Sequence, residues 1–160
     1  MNARPLVSLS TIAVAAALMA AAPDQPTVSF SAVAGLNHYA GGGHGRCGRE
    51  TAASLYEKPA TLFLIEYGGE GSGDLDRVNL TLWQFKDGSA DQLSLAFDAG
   101  KESYNISTVQ GSKVVGKGSA TVTAAGAGGK IVVKGLDARG VPIQMTVECA
   151  AFSGIEAEGG

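Results

Sequence analysis

Apolar and polar residues alternate with a period of two along most of this chain, and nowhere do they sustain helical spacing. In residues 141–151, Val141, Ile143, Met145, Val147, Cys149 and Ala151 share one face. Pro142, Gln144, Thr146, Glu148 and Ala150 share the other. That is the signature of a half-buried β-strand, and it places a cysteine on the buried side. Residues 60–67 alternate Thr61, Phe63, Ile65 and Tyr67 with Leu62, Leu64 and Glu66, so both faces are partly apolar and the strand belongs in the middle of a sheet. Residues 78–86 and 92–98 predict a hairpin, with turn chemistry from Lys86-Asp87-Gly88-Ser89. In its first arm Val78, Leu80 and Leu82 share a face before Trp83 and Phe85 take up the apolar pattern. This phase slip predicts a β-bulge near Leu82–Trp83.

Further strands are expected around Tyr104, Ile106 and Thr108, and over residues 119–124 and 130–135, with a short pairing at Val114-Val115. Residues 27–33 read as an edge strand or a loose arm, and residues 50–56 fit a helical turn or a strand equally. Six glycines among residues 35–48 read as a flexible loop. The expected fold is all-β: an antiparallel sandwich or partly open barrel of about seven to nine short strands, separated by Gly- and Asp-rich turns.

Residues 1–22 read as a signal peptide. Arg4 precedes an apolar run over residues 6–19, and Ala20-Ala21-Ala22 offers a small-residue cleavage site. Alanine rather than cysteine stands directly after the cleavage point, so lipid anchoring is not expected, and no later run approaches the ~20 residues of a membrane helix. The expected organisation is then a flexible arm over 23–46, a β-domain over 47–153 and a disordered tail over 154–160. Losing Arg4 leaves 11 basic against 15 acidic residues, a net charge of −4 with neither sign in blocks. Nucleic-acid binding needs clustered Lys and Arg and is not expected. In an exported chain the two cysteines, Cys47 and Cys149, are expected to form a disulfide.

Candidate chemistry is sparse. His38 and His44, near Cys47, carry metal-ligand side chains suited to copper or zinc. Glu70, Asp74 and Asp76, with Glu66 just upstream, crowd carboxylates into a glycine-rich turn that could attract Ca²⁺. No Gly-x-Ser-x-Gly elbow, phosphate loop or dinucleotide fingerprint is present. No resident cofactor is expected. Tyr67, Trp83 and Phe85 are candidates for an aromatic strip that engages a protein, glycan or lipid.

Three segments carry a resemblance: Gly116-Lys-Gly-Ser-Ala-Thr-Val-Thr, Gly129-Lys-Ile-Val-Val-Lys-Gly, and Ile143-Gln-Met-Thr-Val-Glu-Cys149. Their order of strands, with Cys47 as an early cysteine, resembles the end of the mycobacterial 19 kDa lipoprotein antigen family over about 35 residues. The resemblance implies an envelope-associated, disulfide-tied β-sandwich without an enzymatic site. This chain lacks that family's lipidated cysteine, so the resemblance implies no membrane attachment, and it transfers no functional residue. The functional expectation is an exported, non-enzymatic binding protein. The alternatives are an exported metal-binding protein using His38 and His44, and a hydrolase with a carboxylate site that no motif marks.

Overall fold

The computed structural model describes residues 27–69 and 71–155. Within them the chain forms eleven strands and no helix: β1 (Val28–Ala34), β2 (Asn37–Gly43), β3 (Gly45–Leu55), β4 (Lys58–Tyr67), β5 (Ser72–Gly73), β6 (Arg77–Phe85), β7 (Gln92–Ala99), β8 (Glu102–Ser107), β9 (Lys117–Ala125), β10 (Gly128–Leu136) and β11 (Pro142–Cys149). No described helix is therefore long and apolar enough to cross a membrane. The signal segment and residues 156–160 of the expected tail lie outside the described residues.

All ladders between these strands are antiparallel, in two sheets. Sheet I runs β5-β2-β1-β11-β10-β9 and sheet II runs β3-β4-β6-β7-β8. The expected sandwich is present, with ten full strands and the two-residue β5, more than the seven to nine expected. The excess comes from the N-terminal region. Residues 27–33 are neither an edge strand nor a loose arm: β1 lies between β2 and β11, with Val28, Phe30, Ala32 and Ala34 buried. The glycine-rich stretch taken for a flexible loop is β2 and the start of β3. Glycine carries no periodic signal, but it permits close approach. A Cβ on Gly42 would lie 2.8 Å from the Val28 carbonyl oxygen, and one on Gly71 2.0 Å from that of Gly42.

Residues 50–55 resolve as strand and Tyr56 as the start of the turn that follows, and the bulge sits in that strand, between Glu50 and Ala53 of β3. The bulge expected near Leu82–Trp83 is absent. β6 pairs without a break against β4, from Ala60↔Phe85 to Tyr67↔Val78, and against β7. The slip in pattern arose because this strand is apolar on both faces.

The inward faces form one core. Phe63, Ile65, Leu80, Leu82, Leu95, Phe97 and Ile106 from sheet II pack with Phe30, Ile131, Val133, Met145 and Val147 from sheet I. The disulfide joins Cys47 of β3 to Cys149 of β11, with Cα atoms 6.1 Å apart, and so staples one sheet to the other. Beyond Cys149 the chain crosses to sheet II. Ser153 pairs beside β3, donating to the Cys47 carbonyl at 2.8 Å and accepting from Arg49 N–H at 2.8 Å. Phe152 meets the Phe63 ring edge-on at 5.5 Å. Ile155, expected in a loose tail, lies against β3: a Cβ on Gly48 would stand 2.8 Å from Ile155 Cγ1.

Candidate functional site

The predicted strip of Tyr67, Trp83 and Phe85 divides between two faces. Tyr67 continues the inward series Phe63, Ile65 on β4. It is buried, its ring centroid lies 5.1 Å from that of Phe30, and its hydroxyl donates to the Gly42 carbonyl at 3.4 Å. Trp83 and Phe85 occupy the opposite parity on β6 and face outward, half-buried. The register brings other partners to them. Leu62 stands opposite Trp83, Leu64 opposite Thr81, and Ala60 opposite Phe85. Directly opposed residues in an antiparallel pair lie within side-chain contact distance. The outer face of sheet II therefore carries Leu62, Leu64, Trp83 and Phe85 as one apolar strip on its two adjacent strands β4 and β6. Ile155 lies beyond Leu64 at the Gly48 end.

At its other end the strip meets a strap. Tyr56 and Glu57 form the two-residue turn between β3 and β4, both in the left-handed region at φ 51° and 63°. The Tyr56 hydroxyl donates to the Gln110 carbonyl, and the Gln110 N–H donates to the buried Gln92 Oε1 at 3.1 Å. Under this strap Tyr56, Phe85, Ser89, Gln92 and Gln110 line a cavity of about 340 Å³. Lys58 stands at its rim, its ammonium 5.7 Å from the Phe85 ring centroid and 3.5 Å from the Asp87 carboxylate.

Turns of this kind favour Asn-Gly because both central residues need positive φ. A non-glycine residue there costs roughly 1–2 kcal/mol, partly offset by the unfolded-state entropy glycine brings. Glu57→Gly is therefore expected to stabilise the chain by about 0.5–1 kcal/mol, read as a higher urea midpoint at constant slope. An unchanged or lower midpoint would show that the turn is unstrained.

The other predicted ligands do not converge. His38 lies on β2, and the five residues of extended strand from it to Gly43 span roughly 17 Å. His44 follows beyond that strand end, so the two imidazoles do not share one ion, and Cys47 offers no thiolate because it is in the disulfide. Glu70 lies outside the described residues. Asp74 is tied toward sheet I, its N–H donating to the Ala40 carbonyl at 2.7 Å. The Asp76 carboxylate accepts from Gly100 N–H at 2.6 Å, at the turn between β7 and β8 of sheet II. Buried Leu75 separates the two. Glu66 pairs with Arg46 at 3.6 Å. Among the described residues no group of three His, Cys, Asp or Glu side chains is placed to hold a metal ion.

A polar cluster that the sequence reading passed over lies between the β10–β11 turn and β8. Asp137 is buried, and its Oδ1 accepts from the N–H groups of Arg139 and Val141 at 2.8 and 2.9 Å. Its Oδ2 accepts from Arg139 Nε at 2.9 Å. The Arg139 guanidinium lies over the Tyr104 ring and donates to the Ser103 carbonyl at 3.0 Å. Tyr104 stacks on Phe97 at 4.7 Å, and its hydroxyl lies 3.0 Å from that of Tyr39. That hydroxyl contact first, and burial second, push the Tyr39 phenol up to about 12. Asp137-Ala138-Arg139-Gly140 was legible only as a turn. The Asx arrangement of Asp before Arg and Gly was the available signal.

The geometry offers a flat apolar strip with a strapped cavity at one end, suited to binding, and a buried carboxylate committed to holding its own turn. No protein-family model, no curated protein and no solved structure matches this chain.

Proposed function

We propose that this chain is an exported, non-enzymatic binding module that engages a protein partner through the outer face of sheet II. One observation carries the reading: Leu62, Leu64, Trp83 and Phe85 stand together on the solvent side of adjacent strands. Outward positions of an antiparallel sandwich are ordinarily polar, and a contiguous apolar strip on such a face marks an interaction surface. Two leucines beside two aromatics favour a protein over a glycan, because sugars stack on aromatic faces amid polar groups. The net charge of −4 after signal removal gives no attraction to anionic lipid. Export is supported by the signal-like residues 1–22 and by the disulfide.

The test places a photo-crosslinking residue at Leu64 in the exporting cell, with Gln144, exposed on the interior strand β11 of sheet I, as the control position. A single protein adduct from position 64 alone is expected. Trp83 is the chain's only tryptophan, so its emission should shift to the blue when that purified protein is added. Truncating a central aromatic anchor commonly costs 2 kcal/mol or more, so Trp83→Ala should weaken the complex by at least about tenfold. Adducts to glycan or lipid, or a protein adduct indifferent to Trp83→Ala, would retire the reading.

A further inference from the structure

Two sheets present four edge strands, and three are blunted. β2 is covered over Gly41 and Gly42 by β5, and its Ala40 carbonyl takes the Asp74 N–H. β3 is covered by Ser153, then bends at its bulge, where the Lys86 ammonium occupies the Thr51 carbonyl. β8 is closed at Ser107 by reciprocal bonds with Val115, and at Ser103 by the Arg139 guanidinium. These are the devices by which sandwiches keep edges from pairing with other chains.

β9 has none of them. Its ladder with β10 runs unbroken from Lys117↔Leu136 to Ala125↔Gly128, without a bulge. Among the described residues, no hydrogen bond reaches its free edge from outside that ladder. Gly118 to Gly129 contains no charged residue and no proline. We propose that this edge pairs with the β9 of a second copy, antiparallel about a two-fold axis, to give a homodimer whose sheet I is continuous across both chains.

The occupant follows from self-complementarity. Centred on Val122, the pairing sets Thr121 against the partner's Thr123 on the outer face and Ala120 against the partner's Ala124 on the inner. Val122 meets its own copy at the axis. Threonine pairs are favourable across strands, and no like charges are brought together. The isologous geometry closes at two chains and leaves no free β9 edge to propagate. A seven-residue edge lies at the small end of interfaces, below about 1,200 Å², so the dimer should be reversible.

Sedimentation equilibrium of the mature, oxidised protein from a few micromolar to about 500 µM tests this. A monomer–dimer equilibrium is expected. T121E/T123E sets carboxylates opposite one another across the axis, while position 123 gains Lys130 as a neighbour within its own chain. It should weaken the dimer by at least about tenfold with an unchanged monomer circular dichroism spectrum. T121K/T123E sets opposite charges in the same places and should restore association. A chain monomeric throughout the range would overturn the proposal. So would a dimer that T121E/T123E leaves intact, or one that Trp83→Ala dissolves instead.

Discussion

Replacing both cysteines, in C47S/C149S, is expected to destabilise the protein by about 4 kcal/mol. The bridge spans a sequence separation of 102 residues, and in the chain-entropy model a closed loop of that length removes roughly 4–5 kcal/mol of freedom from the unfolded chain. For a domain of this size such a loss lowers the melting temperature by about 15 °C. The contacts around the bridge survive its removal. Ser153 still pairs with Cys47 and Arg49 through backbone groups, and Phe152 still packs on Phe63. The folded spectrum should therefore be preserved while the denaturant midpoint falls. The denaturant slope should rise, because an uncrosslinked unfolded chain exposes more surface. A loss below about 1 kcal/mol, or an unchanged slope, would show that the staple acts on the folded state alone or is redundant with the crossing segment.

Where side chains alternate cleanly, the fold was readable from sequence. β4, β7, β10 and β11 each announce a buried face through residues such as Phe63, Leu95, Val133 and Met145, and two cysteines in a chain expected from its sequence to be exported pointed to their bond. Two failures have physical causes. β2 reads Asn-His-Tyr-Ala-Gly-Gly-Gly, and a strand whose neighbours press against its backbone needs glycines that leave no pattern. β6 looked bulged at Trp83 because alternation was assumed to mean one apolar face, whereas this strand has two. The second of those faces is the candidate site, so the local rule failed where the chain departs from a simple sandwich. Trp83 and Phe85 were identifiable from residue type alone. That Leu62 and Leu64 join them and Tyr67 does not is a matter of strand parity and register, which pairing across β4 and β6 decides. Neither strand contains that information by itself. The strap from Tyr56 to Gln110 likewise joins positions 54 residues apart.

Asp137 gives the second large effect and ties stability to pH. Burial alone would push its carboxyl up. The bonds from Val141 N–H, from the Arg139 guanidinium and from Arg139 N–H outweigh burial and hold it below its ordinary 3.8. Asp137→Ala leaves the N–H groups of Arg139 and Val141 without their acceptor and frees Arg139 from its turn. A loss of about 3 kcal/mol is expected. Asp137→Asn keeps an oxygen for the two N–H groups but sets an amide donor against Arg139 Nε, and should cost about half as much. Because the folded value is depressed, the unfolded chain takes up its proton first as the solution is acidified. The stabilisation is therefore complete above the unfolded value, near 3.9, and drains away as pH falls through the lower folded value. Asp87 is also held low, chiefly by Ser89 N–H, so a residual acid limb persists in either variant. Urea midpoints between pH 6 and pH 2.5 should show wild type losing its advantage over Asp137→Asn as acid is added. A constant gap between the two across that range would mean that the carboxylate charge contributes nothing and that Asp137 serves only as a neutral acceptor.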